Sequence, residues 1–270
     1  MFRRLGLALA ACLVVGVPGA LAAFPSPMAQ QGQALAGKDH TVSFIARGVG
    51  GETVVTAERA NGSVLRSQRI DGQFGIPMVT PNGLTGGLFR DGRAFVLQSM
   101  GYNARTHFKV VRTKDLRVRQ SISLKGTFAY DALSPSGSRL YLIQHTSSRD
   151  LEHYVVRAYD LRTKRLLPGK IADKTQEGWV MQGFPVTRTA TADGRWVYTL
   201  YMNPGGYPFV HALDTVRGVA HCIGVAWQGT DQGPLMQFRL GINGRRLVVR
   251  NETGGPYRII DRRTYRVMTP

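Results

Sequence analysis

Short apolar runs recur along the chain, and each of them follows a glycine-containing turn. Four such runs, at residues 94–97, 140–143, 196–200 and 247–249, follow the turn glycines Gly92, Gly137, Gly194 and Gly244. Apolar runs of this length bounded by Gly, Asp and Asn are typical of β-strands. Asp-Gly and Asn-Gly pairs before such runs predict hairpins with type I′ turns, in which both central residues have positive φ. Glycine and β-branched residues occur throughout the chain, which disfavours a helical bundle.

The same order of parts repeats, which predicts an internal structural repeat. Neighbouring turn glycines are 45, 57 and 50 residues apart. About twenty residues after each of these turns, an aspartate marks a second predicted turn, at Asp115, Asp160, Asp214 and Asp261. Side chains of Asp at such positions fold back onto turn backbone. Four short strands in a period of 40 to 50 residues are the pattern of a β-propeller blade.

A fifth unit lies upstream, with strands at 41–47, 53–58 and 63–70 and a hairpin turn at Asn61-Gly62. Its innermost strand is not recognisable in the sequence. The predicted fold class is therefore all-β, a β-propeller of about five recognisable four-stranded units over residues 40–270. An incompletely closed ring is one of the alternatives, since the recognisable units are few.

One unit is similar to a known repeat. Residues 133–142 read LSPSGSRLYL, and residues 155–163 read VVRAYDLRT. This unit resembles the repeat of secreted bacterial YVTN and WD40-like β-propellers, in which seven units are common. The resemblance implies a propeller fold. It leaves function open, because such propellers include binding scaffolds and lactonase-like enzymes.

The N-terminus has the three parts of an export signal. Arg3 and Arg4 precede a mainly apolar run over 5–17, and Ala20-Leu21-Ala22 supplies small residues at a cleavage site. We predict a signal peptide over 1–23, a flexible linker over 24–39, and a protein that is secreted or held at the exterior of the cell envelope. An uncleaved membrane anchor is the alternative. After cleavage no other stretch is long enough to span a membrane.

The net positive charge of the chain bears most directly on its expected partners. The chain has 270 residues with 35 Lys plus Arg against 17 Asp plus Glu, a formal charge of +18 that becomes +16 when residues 1–23 are removed. Such a basic protein is expected to meet an anionic component of the cell envelope or an unknown protein, as a monomer and without specific nucleic-acid binding. The alternative is that the charge is dispersed over all blades and serves solubility. We expect no cofactor and no metal, because the sequence holds no metal-ligand or phosphate-loop motif.

Cys222 is the one thiol outside the predicted signal peptide, so an intramolecular disulfide is excluded. It lies in a strand-like run, where neighbouring side chains point to opposite faces. We therefore expect a buried, inert thiol that does not pair with His221.

Loops between the second and third strands of all blades emerge on one side of a propeller. Loops at 99–107, 145–153, 201–208 and 251–257 thus form a predicted binding face. Its candidate residues are Tyr102, Asn103, Arg105, His107, His145, Arg149, Asp150, Glu152, His153, Tyr201, Asn203, Tyr207, Asn251, Glu252 and Tyr257. The alternative is that these loops are polar only because they face solvent. His145 and His153 with Asp150 or Glu152 are also a candidate acid/base or metal cluster.

Two further groups are candidates near the channel. The innermost strands place Gly86, Asp131, Arg188 and Phe238 six residues before their turn glycines, so Asp131 and Arg188 are predicted to form a charge pair between adjacent blades. That pair is either a ligand-binding pair or a structural ion pair. Trp179 and Met181, in an insertion at 172–184, are a candidate lid over the channel, or pack on their own blade.

These observations favour a non-catalytic β-propeller that binds a partner or an anionic envelope ligand through the predicted binding face. The sequence lacks a Gly-x-Ser-x-Gly elbow and a His-Glu-x-x-His motif. The alternative is a propeller hydrolase or lactonase-like enzyme with its site at the central channel. An enzyme of that kind needs several carboxylate or imidazole groups that converge at the channel.

Overall fold

A computed structural model describes residues 29–176 and 178–270, which form β-strands and one short 3-10 helix, Gly233–Gln237. The predicted signal peptide and residues 24–28 lie outside the described residues. The strands make five antiparallel sheets, each of four strands consecutive along the chain, with one further strand added to two of the sheets. No helix in the described part of the chain is long and apolar enough to cross a membrane.

We number the sheets as blades 1 to 5 in chain order. Blade 1 contains β2 (Ala34–Ala36), β3 (Val42–Val49), β4 (Glu52–Arg59) and β5 (Val64–Asp71). Blade 2 contains β1 (Ala29–Gln30), β6 (Phe74–Pro77), β7 (Ala94–Ser99), β8 (Arg105–Arg112) and β9 (Val118–Lys125). Blade 3 contains β10 (Phe128–Leu133), β11 (Arg139–His145), β12 (His153–Asp160), β13 (Arg165–Leu166) and β14 (Met181–Gln182). Blade 4 contains β15 (Phe184–Ala190), β16 (Trp196–Met202), β17 (Phe209–Asp214) and β18 (Val219–Gly224). Blade 5 contains β19 (Arg239–Asn243), β20 (Arg246–Arg250), β21 (Pro256–Asp261) and β22 (Val267–Met268).

Hydrophobic clusters join each blade to the next one along the chain. They lie between blades 1 and 2, 2 and 3, 3 and 4, and 4 and 5. Within residues 29–176 and 178–270, no such cluster, hydrogen bond or ion pair joins blade 1 to blade 5. The predicted fold class is confirmed: the chain is an all-β propeller of five four-stranded units.

Part of the predicted linker is folded into the blades. Ala29 of β1 pairs with Pro77 of β6, and Leu35 of β2 pairs with Phe44 of β3; Ala29 and Leu35 are both buried. The prediction of a flexible segment is therefore wrong for these residues. β2 is the innermost strand of blade 1, and the sequence does not reveal it because three residues are too few to show an alternating pattern.

The four turn glycines all have positive φ, between 54° and 73°. The residue before each of them does not, so the prediction of type I′ turns is wrong. In three of the hairpins the glycine N–H donates to the carbonyl three residues earlier, as in the 2.9 Å bond from Gly137 to Ser134. A turn of this kind closes with a single left-handed residue, which glycine adopts without steric cost.

The aspartates of the second turn in blades 2 to 5 fold back onto the turn backbone, as predicted. Oδ1 of Asp160 accepts hydrogen bonds from the backbone N–H groups of Arg162 and Thr163, at 2.8 and 2.7 Å. Asp115, Asp214 and Asp261 accept equivalent bonds in blades 2, 4 and 5. Each aspartate thereby caps the bend between the third and fourth strands of its blade.

The antiparallel order gives the propeller two distinct faces. Connections from first to second and from third to fourth strands form the turn face, which consists of residues 37–41, 60–63, 78–93, 113–117, 134–138, 161–164, 191–195, 215–218, 244–245 and 262–266. The other connections form the loop face, which consists of residues 31–33, 50–51, 72–73, 100–104, 126–127, 146–152, 167–176, 178–180, 183, 203–208, 225–238 and 251–255. Hydrogen bonds between blades keep each face together, such as Arg139 to the Val216 carbonyl on the turn face and Thr127 to the Asn103 carbonyl on the loop face.

Substitution of a turn glycine tests this packing. A Cβ on Gly137 would lie 2.6 Å from Cδ1 of the buried Phe89 ring, whereas a Cβ on Gly194, in the equivalent turn of blade 4, would have no atom nearer than 3.7 Å. We expect Gly137→Ala to lower the free energy of unfolding by about 2–4 kcal/mol, because backbone strain and overpacking add. Gly194→Ala is expected to cost only the backbone strain, about 1–2 kcal/mol. Equal losses in urea unfolding would contradict the packing of Phe89 on this turn.

Candidate functional site

Asp131 lies in a β-bulge of the innermost strand of blade 3. The pairing of β10 with β11 shifts between Tyr130 and Ala132, so Asp131 is the extra residue on its strand. A bulge of this kind redirects a side chain and is frequent next to functional sites. Here it directs the carboxylate toward blade 4, where Asp131 and Arg188 form an ion pair. The charge pair predicted from the sequence is therefore present.

This ion pair is enclosed by protein. The side chains of Asp131 and Arg188 are 3% and 8% exposed. The Arg188 guanidinium also donates to the Asp131 carbonyl, and its Nε donates to Oγ1 of Thr199 at 2.9 Å. Buried charges are normally held in this way by a partner and by further hydrogen bonds.

One carboxylate oxygen of the pair has no partner. Oδ1 of Asp131 accepts from Arg188, but Oδ2 is buried and accepts no hydrogen bond. A buried acceptor without a donor costs free energy, and more so when it is charged. The hydrogen-bonding capacity of Oδ2 is thus unused by the described residues.

Asp131 and Arg188 line a cavity of about 440 Å³. Its walls come from blades 2, 3 and 4, and it reaches the turn face at residues 134–135 and 190–194. Most of the lining is apolar, including Val79, Leu84 and Leu133, with a few hydroxyl groups and the cation of Arg90. A mainly apolar cavity with a few fixed polar groups is typical of small-molecule sites.

Gly86 and Phe238, the two other positions predicted on innermost strands, lie outside the strands and have packing roles. Gly86 is in the connection from β6 to β7, and Phe238 directly follows the 3-10 helix, so the prediction is wrong for these two positions. A Cβ on Gly86 would lie 2.7 Å from Cε1 of Tyr130, so the tyrosine ring fills the space that glycine leaves. Phe238 is buried in the cluster between blades 4 and 5, with its ring 5.7 Å from Trp227 and 5.3 Å from Tyr257. Only Asp131 and Arg188 of the four positions therefore carry charge into the cavity.

A row of rings leads from the loop face into the interface between blades 3 and 4. Successive ring centroids are 5.9 Å apart from Tyr102 to His145, 6.0 Å from His145 to Tyr154, 5.8 Å from Tyr154 to Tyr201 and 6.4 Å from Tyr201 to His211. His145 and Tyr201 are buried, so their prediction as accessible binding residues is wrong. Both are strand residues, and their side chains point between the blades rather than into the loops.

The histidines in this row are uncharged at neutral pH. Burial lowers the pKa of His145 to about 4 and that of His211 to about 4. Neither ring nitrogen of His145 has a hydrogen-bond partner, and Nε2 of His211 has none. His211 and Thr199 were not predicted as site residues. The sequence feature that could have indicated them is a polar residue inside an otherwise apolar strand.

The remaining residues of the predicted binding face do not converge on one site. Nδ1 of His153 lies 2.9 Å from Oδ2 of Asp150, and Asn203 donates to the Tyr207 carbonyl at 3.3 Å. Tyr257 packs on Trp227 and donates to the Ala226 carbonyl. Exposed or half-buried members are Asn103, Arg105, His107, Arg149, Glu152, Tyr207, Asn251 and Glu252. The loop between β11 and β12 therefore holds one Asp–His pair, and His145 does not join it.

The candidate lid packs at the outer strands. Met181 is fully buried and pairs with Tyr154 of β12, while the Trp179 ring lies 6.1 Å from Phe209 of β17. Neither side chain lines the cavity beside Asp131. The prediction of a lid over the channel is wrong, because the insertion continues the outer edge of blade 3 instead of crossing the propeller.

The thiol of Cys222 faces away from His221, as predicted. Cys222 pairs across the sheet with His211, with 3.5 Å between Sγ and Nδ1, whereas the His221 ring contacts Tyr265 at 4.3 Å. Burial raises the pKa of the Cys222 thiol, so it is protonated at neutral pH. Across residues 29–176 and 178–270, no three His, Cys, Asp or Glu side chains are grouped as metal ligands.

The fold and this cavity define a β-propeller with a candidate site between blades 2, 3 and 4. No protein-family model matches the chain, and no curated protein matches it. Among solved structures it is similar to TolB from Acinetobacter baumannii, with a TM-score of 0.45 and 14% identity over 82% of this chain and 52% of TolB. It is also similar to the Dos1 propeller, with a TM-score of 0.48 and 8% identity over 86% of this chain and 58% of that one. A third similar structure is the dihydro-heme d1 dehydrogenase NirN, with a TM-score of 0.49 and 13% identity over 90% of this chain and 46% of NirN. This chain thus spans about half of the length of these proteins.

Proposed function

We propose that this chain is an exported, non-catalytic binding propeller of the YVTN and WD40-like kind, and that it holds a small ligand in the cavity beside Asp131 and Arg188. The observation that carries the proposal is the buried ion pair with one unpartnered carboxylate oxygen at a mainly apolar cavity. A β-bulge holds that oxygen in place, and a rigid scaffold of three blades surrounds it.

The lining specifies the chemistry of the ligand. Oδ2 of Asp131 takes a hydrogen-bond donor, such as a hydroxyl or an amine. The apolar walls take a hydrocarbon body, and the volume of about 440 Å³ limits the ligand to a small molecule. Arg188 is compensated by Asp131, so Arg90 contributes the uncompensated cation of the lining and favours an anionic group nearby.

The composition of the cavity supports binding over catalysis. A hydrolase or lactonase-like site needs several groups that exchange protons or hold a metal. Asp131 is the one carboxylate among the described lining residues, and no imidazole lines the cavity. The predicted binding face is the weaker location for a ligand, because its rings turn inward and its exposed residues belong to separate loops.

A substitution that fills the cavity tests the proposal. Ala190 lines the cavity but is exposed, so Ala190→Phe adds bulk there without disturbing the core. A thermal-shift screen of small hydroxylated and amino-substituted carboxylic acids is expected to find ligands whose Kd rises at least tenfold in Ala190→Phe. Ala60→Phe, an exposed site on the turn of blade 1, is the matched control and is expected to leave Kd unchanged.

Ligands that bind Ala190→Phe as tightly as the parent protein would contradict the cavity as the binding site. The same proteins are then assayed with ester and lactone substrates. Turnover that disappears in Asp131→Asn would favour the hydrolase alternative over the binding function.

A further inference from the structure

The positive charge of this propeller is concentrated on one face. Among the described residues, the connections of the turn face hold 13 Lys or Arg and 4 Asp, whereas those of the loop face hold 3 Lys or Arg and 5 Asp or Glu. When the terminal residue of every adjoining strand is included, the turn face has 18 basic and 7 acidic residues, and the loop face has 7 basic and 7 acidic residues. The charge is therefore spread over the blades but polarised between the two faces.

The carboxylates of the turn face have a local structural task. All four Asp residues in its connections, Asp39, Asp91, Asp115 and Asp193, accept hydrogen bonds from backbone N–H groups two residues later. The ion pairs there join a few arginines to strand-end or turn aspartates, as in Arg195 with Asp214 and Arg112 with Asp115. Most of the remaining cations have no carboxylate partner and project into solvent.

One cleft on this face concentrates the cations further. A cleft of about 470 Å³ at blade 2 is lined by Arg93, Arg112, Lys114 and Arg119 with Ala94 and Thr113. Only Arg112 has a carboxylate partner, the Asp115 side chain at 2.6 Å. Several cations around one concavity raise the local concentration of anions.

Exposed apolar side chains accompany the cations on this face. Val216 lies within the turn of blade 4, and Val64 and Val118 begin strands at turns of blades 1 and 2; they are 51%, 56% and 37% exposed. The large aromatic side chain that is exposed in the described residues, Tyr207, is on the loop face instead. Single-stranded nucleic acid is bound by stacking on exposed aromatic rings, which the turn face does not offer. Basic residues mixed with exposed aliphatic ones are suited to the headgroup region of a lipid surface.

We propose that the turn face is a docking surface for an anionic phospholipid membrane. Its ten connections end at one side of five adjacent blades, so many cations reach a planar surface at the same time. Each cation near such a surface gains attraction to the lipid phosphates, and the valines insert among the headgroups. Docking requires only the charges and valines of the turn face and no ligand in the cavity, although the cavity mouth and Arg90 lie on the same face.

The test compares two variants with the same loss of charge. Arg119→Gln in the cleft of blade 2, together with Arg162→Gln, Arg217→Gln and Arg263→Gln in the turns of blades 3 to 5, removes four exposed cations on the turn-face side. Lys125→Gln, Arg149→Gln, Lys170→Gln and Lys174→Gln together remove four exposed cations at the loop side. None of these eight side chains makes a hydrogen bond or an ion pair within the described residues, so both variants are expected to fold as the parent does. Melting temperatures within a few degrees of the parent verify this.

Flotation with vesicles of phosphatidylcholine alone, or with phosphatidylglycerol added, measures binding of the protein produced from residue 24. We expect binding only to the vesicles with phosphatidylglycerol, weakened at least tenfold in the turn-face variant and less than twofold in the loop-side variant. Val64→Ser with Val118→Ser and Val216→Ser is expected to weaken the binding that persists in 0.5 M salt.

Equal weakening in the two variants would overturn the proposal, because net charge and not its placement would then govern binding. Tighter binding of a single-stranded oligonucleotide than of the vesicles, lost in the turn-face variant, would overturn it in favour of nucleic acid. The turn-face variant changes no residue of the cavity lining and is expected to bind cavity ligands with the Kd of the parent, so failure of the cavity proposal and failure of this one are distinguishable.

Discussion

Replacement of Arg188 by methionine is expected to lower the free energy of unfolding by about 3–5 kcal/mol. The variant removes the partner of Asp131 and leaves its carboxylate 3% exposed without a compensating charge. The Asp131 carbonyl and Thr199 Oγ1 also lose their donor. Urea unfolding at pH 7 measures the loss.

A second variant distinguishes the cost of an uncompensated charge from the cost of altered packing. Asp131→Leu combined with Arg188→Met replaces the pair by apolar side chains and is expected to recover most of the stability lost in Arg188→Met. Arg69→Met is the control, because Arg69 and Glu52 form an exposed pair, and its loss is expected to be below about 1 kcal/mol. If the double variant were less stable than Arg188→Met alone, an uncompensated charge would not be the cause of the loss.

The protein is expected to lose stability as the pH falls from about 6.5 to 4. Burial lowers the pKa of His145 and of His211 to about 4 in the folded state, whereas an unfolded histidine titrates near 6.5. Between these values the unfolded chain binds more protons, so acid favours unfolding. Each histidine is expected to contribute a loss of about 2–3 kcal/mol by pH 4.5. The turn aspartates act at lower pH, because their pKa values lie below 3.8.

Variants at the two buried histidines identify the source of this dependence. His145→Phe and His211→Phe keep a ring in the row between blades 3 and 4 and remove the titrating group. Each is expected to make the loss of unfolding free energy between pH 7 and pH 4.5 smaller by about 2–3 kcal/mol. His107→Gln replaces an exposed ring and is the control. A pH dependence unchanged in both phenylalanine variants would show that these histidines are not the titrating groups.

Features that depend on neighbouring residues were predictable from the sequence. Gly92, Gly137, Gly194 and Gly244 mark the turns because a left-handed conformation excludes most other residues. The caps of Asp160 and its equivalents followed for the same reason, since their hydrogen bonds span two or three residues. The repeat of these local signals was sufficient to predict the propeller and the ion pair of Asp131 with Arg188.

Features that depend on distant residues were not predictable. β1 and β2 are strands only because β6 and β3 offer free edges. The paired residues Ala29 and Pro77 are 48 positions apart, and Leu35 and Phe44 are 9 positions apart. His145 and Tyr201 have the polarity of loop residues, but they are buried because two blades meet there. Trp179 and Met181 pack where β12 offers an unpaired outer edge.

The sequence by itself determined the class of fold, the positions of the turns and the total charge, because each is set by residue type and short spacing. Only the tertiary structure decided which face carries the charge. The same arginines are dispersed along the chain, and antiparallel pairing within each blade returns every second connection to the same side. The cavity beside Asp131 arises in the same way, because its walls come from three blades that meet only when the propeller is assembled.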